Sequence, residues 1–174
     1  MSRTLSSALI FVLAGCGPLT FDTEVKGESV IPGNALAPPL NVFPSLGGLS
    51  DLDFNANREF QSHAVTRDRV TSVAVESVTF KLLSPSDQDF TFLNTVQLVA
   101  RAGDKEVVFA EKLDIVDLPL PAPNPTLSLD LKAVDLTPFV TAPIVTVIMR
   151  GKGKQPPKDT RLEVKVKLRV SATP

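Results

Sequence analysis

The chain has 174 residues, a formal net charge of −1, one cysteine and neither tryptophan nor tyrosine. A lone cysteine excludes a disulfide within the chain. Without tryptophan or tyrosine, the flat amphipathic rings of most carbohydrate platforms are missing, and stacking of single-stranded bases would rest on phenylalanine alone, so no nucleic-acid partner is expected. The near-neutral total hides a split. Arg150 to Pro174 carries eight Lys and Arg against two acids, a net of +6, whereas Cys16 to Met149 carries nine against seventeen, a net of −8. Such asymmetry points to an interaction surface.

The first fifteen residues read as an export signal. Arg3 supplies a positive start, and Leu5 to Leu13 is an apolar run, too short for the roughly 20 residues that cross a bilayer. Ala14 and Gly15 are small and lead straight into Cys16, the only cysteine. Leu13-Ala14-Gly15-Cys16 resembles the lipobox of bacterial lipoproteins at every position. The resemblance implies cleavage between Gly15 and Cys16, diacylation of the Cys16 thiol and acylation of the new amino terminus. Gly17, in place of aspartate, implies by the same resemblance an outer-membrane destination, with the domain facing the periplasm or the cell surface. The competing reading is a plain secretory signal with a coincidental cysteine. A buried N-terminal element fits poorly, because Gly17 and Pro18 break structure at once. Signal peptide 1–15 and a single domain 16–174 are therefore expected, the latter long enough for its own core.

Within the domain, short windows alternate at period two and none holds a helical period over any length, which predicts an all-β fold. Phe21, Thr23 and Val25 alternate with Asp22, Glu24 and Lys26 in a first strand that should end at Gly27. The prolines between residues 32 and 46 suit an edge strand or a loop. Leu49 to Phe54 reads as a short strand, and Asn55 to Ala64 as one short helix. Val70 to Leu83 is a long strand whose apolar phase switches at Glu76–Ser77, which predicts a bulge. Ser84 to Asp89 is turn chemistry, and Phe92 to Ala102 is the expected partner strand. The GDK turn at 103–105 leads into Glu106 to Leu113. A proline-rich connection follows at 114–125. Leu127, Leu129 and Leu131 lie on one strand, and Asp135 to Phe139 reads as a short 3₁₀ helix or a turn. Last come Ile144 to Arg150, a loop Gly151 to Thr160, and an alternating strand from Arg161 to Val170, read together as a hairpin. The sum is a single β-sandwich of about eight or nine strands, jelly-roll or immunoglobulin-like.

Few residues suggest chemistry. Asp51, Asp53, Asn55, Asn57 and Glu59 stand at every second position, the spacing that would bring side-chain oxygens to calcium. An EF-hand would need Gly and Glu where Ala56 and Ser62 stand, so a strand end followed by a helix cap explains the same residues. His63 is the only histidine, and no nucleophile elbow accompanies it. With Cys16 lipidated, a zinc site would have one histidine and carboxylates only. No cofactor and no enzymatic activity are expected. The strongest binding set is basic: Arg150, Lys152, Lys154, Lys158, Arg161, Lys165, Lys167 and Arg169, placed on one hairpin face and its loop. Such a face suits an anionic surface, although Lys on an edge strand also guards against aggregation. The expected role is an outer-membrane-anchored structural or protein-interaction module of the envelope. The alternative is a lipoprotein that binds a lipid or glycan, in the sandwich or on the basic hairpin.

Overall fold

The structure is a computed structural model that describes residues 17–40 and 42–173. The Leu13–Cys16 motif, and with it the expected lipidation and cleavage positions, lies outside the described residues. No described helix is long and apolar enough to cross a membrane.

Strand β1 (Leu19–Ile31) alternates strictly, with Phe21, Thr23, Val25, Ser29 and Ile31 facing inward and the charged residues between them facing outward. It runs through Gly27 instead of ending there. A Cβ at Gly27 would stand 2.6 Å from the Gly47 carbonyl oxygen and 2.8 Å from Leu49 Cγ. The glycine is needed for that close approach and does not terminate the strand. The other strands are β2 (Pro39–Leu40), β3 (Val70–Ser84), β4 (Leu93–Ala102), β5 (Lys105–Lys112), β6 (Thr126–Ser128), β7 (Asp130–Leu131), β8 (Thr146–Lys154) and β9 (Thr160–Ala172). Two short helices are α1 (Arg58–Ser62) and α2 (Thr137–Val140).

The strands form two antiparallel sheets, ordered β1-β9-β3-β6 and β2-β8-β4-β5-β7. Setting aside the two-residue β7, the first strand pairs with the last (β1 with β9) and the second with the seventh (β2 with β8). The third pairs with the sixth (β3 with β6), and the fourth with the fifth (β4 with β5). That nesting is an antiparallel ribbon folded over on itself, which is the jelly roll. Among the described residues, only β4 and β5 form a tight hairpin, through Gly103 at φ 57°. The sandwich predicted from alternation is present, and its jelly-roll form is decided by the pairing.

Several expected neighbours are corrected by the same pairing. β4 is not the partner of β3, because the connecting stretch buries Phe90 and Phe92 and carries the chain to the other sheet. β8 and β9 are not a hairpin: they belong to different sheets. Their connection is held to the β1–β2 link, with Gln155 N donating to Pro38 O at 2.8 Å and Asn34 N to Pro156 O at 2.7 Å. The Leu127–Leu131 strand divides in two. Leu127 sits opposite Phe80 in one sheet and Leu131 opposite Ala110 in the other, which leaves Leu131 exposed. Leu49 to Phe54 makes only one isolated bridge, Leu52 to Val145. It is not a strand, because the chain bends at Asp51 (φ 55°) and then coils into the turn Phe54–Ala56.

The short helix and the bulge fall where the sequence places them. Asn57 caps α1, its Oδ1 accepting from Glu59 N at 2.9 Å and Phe60 N at 3.3 Å. The β3–β9 register slips between Val75 and Ser77, so Glu76 is the extra residue. Phe60, Phe80, Phe90 and Phe109 are fully buried in the core with Leu82, Leu98 and Leu162. A cavity between the sheets, bordered by Val25, Phe54, Phe109 and Leu168, measures about 30 Å³. That is room for a water and too little for a lipid chain.

Candidate functional site

The eight basic residues singled out in the sequence do not share one face. Arg161, Lys165, Lys167 and Arg169 project outward from β9, which is a central strand between β1 and β3 and so needs no edge protection. Arg150, Lys152 and Lys154 project from β8 in the opposite sheet. Lys158 sits in the connection and donates to Asp87 at 2.7 Å.

On β9 the basic residues meet acids from both neighbours. Asp22 on β1 faces Arg169 and accepts from Arg169 Nε at 3.2 Å and from Lys167 Nζ at 2.8 Å. Glu76, brought to this face by the bulge, accepts from Arg169 Nη2 at 2.8 Å and stands 3.5 Å from Lys167 Nζ. Glu28 pairs with Arg161 at 2.5 Å and Glu163 with Lys165 at 3.6 Å. The Asp22 carboxyl is held below its ordinary range by hydrogen bonds from Lys167 and then Arg169, and Lys167 is raised by its bond to Asp22. On β9 the excess of basic residues is thus matched by acids in space. Alternation of Asp22, Glu24 and Glu28 in the same outward phase was the signal for this arrangement. What it lacked was the knowledge that β1 lies beside β9.

The other sheet has a smaller version. Glu106 bridges Arg101 at 2.5 Å and Arg150 at 2.8 Å, and those bonds, Arg150 first, lower its carboxyl. Lys152 and Lys154 have no ion pair among the described residues. Their GKGK segment is strand and not loop. A Cβ at Gly151 would fall 2.1 Å from Thr95 O, and one at Gly153 would fall 2.3 Å from Phe92 O. Glycine therefore permits the close backbone crossing, and the lysines between point to solvent.

The side-chain oxygens of the oxygen-rich segment accept from nearby donors. Asp53 Oδ1 accepts from Asn55 N at 3.0 Å and from Arg67 Nη1 at 3.1 Å, and Asn55 Oδ1 accepts from Arg67 N at 2.8 Å. Asn57 Oδ1 accepts from Thr23 Oγ1 in addition to its cap bonds. Asp51 lies exposed beside them, and Glu59 is in the first turn of α1. No group of three or more His, Cys, Asp or Glu at metal spacing occurs among the described residues. His63 ends α1 as its C-cap and stacks on Phe21, ring centroids 4.6 Å apart.

One surface had no sequence signal. Ala102, the 103–105 turn, Pro138, Ala142, Pro143 and Ile144 line an open groove of about 550 Å³. Ile144 is 46% exposed there. Two stretches far apart in sequence, the β4–β5 hairpin and α2 with the segment that follows it, meet there, and no motif marks such a meeting.

No family model matches the chain. No curated protein matches it in sequence. Among solved structures, the cryo-EM structure of Mud crab tombus-like virus is similar over 95% of this chain and 94% of that one, at 11% identity and a TM-score of 0.33.

Proposed function

We propose that the chain is a lipid-anchored jelly-roll domain of the bacterial envelope, tethered to the outer membrane through Cys16 and serving as a non-enzymatic structural or protein-interaction module. The observation that carries this reading is the complete Leu13–Cys16 motif, followed after only Gly17 and Pro18 by the first strand. An anchor that close to a folded domain holds it at the membrane, and two or more acyl chains make such attachment stable. The charged side chains with the closest polar neighbours are tied into ion pairs and helix caps, a use that fits a scaffold. A lipid held between the sheets fits less well with a cavity of about 30 Å³.

The test is metabolic labelling with a fatty acid, together with the intact mass of the membrane-extracted protein. The natural chain should begin at Cys16 and carry acyl mass. Cys16→Ala should keep residues 1–15 and take no label. Labelling of that variant, or a natural chain processed without lipid, would defeat the proposal. Cross-linking in cells should then capture an envelope protein with the natural chain and lose it with Cys16→Ala.

A further inference from the structure

We infer that the anchored domain meets the bilayer with the end of the sandwich where β1 begins, and that lipid occupies the open groove around Ile144. This rests on the lipid-anchor reading above. Cys16 precedes Leu19 by three residues, so the chain can separate them by at most about 11 Å. Leu19, where β1 begins, therefore stays within about 11 Å of the acylated residue.

The structure identifies what surrounds that point. Leu19 and Val70 both pair with Ala172. Next to them, Arg69 O accepts from Thr173 N at 2.9 Å. Two residues earlier, Arg67 Nη1 donates to Pro143 O at 3.3 Å, which fixes Pro143 and Ile144 at the same end. Ile144 shares its groove with the β4–β5 turn and Lys105. A large apolar side chain left in the open is thus placed where the anchor brings lipid within reach. Arg69 and Lys105 are exposed and have no ion pair among the described residues. Their apolar stems and charged tips suit the level of lipid phosphates. Asp68 and Asp104 stand beside them in sequence, so apolar contact leads here and bulk charge attraction follows.

The opposite end is far away. β1 spans thirteen residues, about 40 Å at 3.3 Å per step, and its last residue, Ile31, pairs with Thr160. Lys158 and Arg161 therefore lie at the end remote from the anchor. The basic connection is displayed away from the bilayer and does not rest on it.

Cys16 is the only cysteine and lipidation uses its thiol, so an introduced cysteine can be labelled alone. Ile144→Cys, Lys105→Cys and Lys158→Cys in the lipidated chain would each carry an environment-sensitive fluorophore. The vesicles would contain phosphatidylethanolamine, phosphatidylglycerol and a lipid bearing a nitroxide near its headgroup. Fluorescence should be lost at 144 and 105 and kept at 158. Loss at 158 alone, or at none of the three, in protein whose acyl mass is intact would overturn the orientation and leave the anchor standing. Absence of acyl mass at Cys16 would overturn both.

Discussion

Asp22 on β1 stands directly across from Arg169 on β9, and its Oδ1 accepts from Arg169 Nε at 3.2 Å while Oδ2 takes Lys167 at 2.8 Å. Two segments almost 150 residues apart in sequence, one acidic and one basic, thereby cancel each other on one sheet. Part of the charge split that reads as an interaction surface in the sequence is thus spent on pairs between neighbouring strands, while the buried alternation of β1 and β9 sets their register.

The sign of the pH dependence follows. The Asp22 carboxyl is lowered in the folded chain. Its contribution to stability is fully present above the unfolded value, about 3.9, and fades as pH falls through the lower folded value. Lys167 is raised, so its share is present below about 10.4 and fades as pH climbs through the folded value. Asp22→Asn should lower the urea midpoint at pH 7, and the difference from the natural chain should shrink as pH falls below about 4. The pair is exposed, so the effect is small, and about 1 M salt should weaken it further. A difference that grows on acidification would contradict the assignment.

Asn57 links α1 to β1. Its Oδ1 accepts from two helix amides and from Thr23 Oγ1 at 3.1 Å, and Thr23 is buried. Loss of the cap costs about 1 kcal/mol, and a buried hydroxyl left without its acceptor costs about 1–3 kcal/mol more. Asn57→Ala should therefore destabilise by about 2–4 kcal/mol in equilibrium unfolding. Asn57→Asp, which keeps the acceptor oxygen, should recover most of the loss.

Alternation in the sequence is sufficient to tell which side chains of β1, β3 and β9 face inward, and the phase switch at Glu76 locates the bulge. It is silent on neighbours. Leu162 to Val170 alternate in the same way whether β8 lies beside β9 or across the core from it, so a short proline-containing connection looks like a hairpin turn. The Leu127–Leu131 alternation is continuous although the chain changes sheets within it. The candidate site fared worse for the same reason. The partners of Lys167 and Arg169 come from β1 and from a bulge in β3, and only the pairing order brings them together. Capping by Asn57 is local in sequence and was legible. The Ile144 groove is assembled from distant elements and was not.

The GKGK segment separates a backbone role from a side-chain role. Cβ atoms at Gly151 and Gly153 would fall 2.1 and 2.3 Å from carbonyl oxygens of β4 and its approach. Backbone cannot yield as a flexible side chain can, so overpacking here should sit at or above the usual range of about 1–3 kcal/mol. Gly151→Ala should lower stability by at least about 2 kcal/mol, whereas Lys152→Ala should stay within about 0.5 kcal/mol of the natural chain. Equal effects from the two would mean that the lysine, not the crossing, is what the strand requires.

Ser29 offers the opposite case, a substitution expected to stabilise. It lies on the inward face of β1 opposite Leu162, is 5% exposed, and its Oγ has no hydrogen-bond partner among the described residues. A buried hydroxyl without a partner costs about 1–3 kcal/mol relative to its hydrated state. Ser29→Ala replaces the hydroxyl by hydrogen, which removes that cost and leaves a gap of one oxygen atom, whose lost contacts offset part of the gain. Ser29→Ala should therefore raise stability by about 1 kcal/mol, seen as a higher urea midpoint with an unchanged slope. The neighbouring inward position provides a contrast, because Ile31→Ala at a fully buried site should cost about 2–5 kcal/mol. If Ser29→Ala lost stability instead, the hydroxyl would have to be hydrogen-bonded in the folded chain, and the inner face of β1 would hold a polar contact that its strict alternation does not reveal.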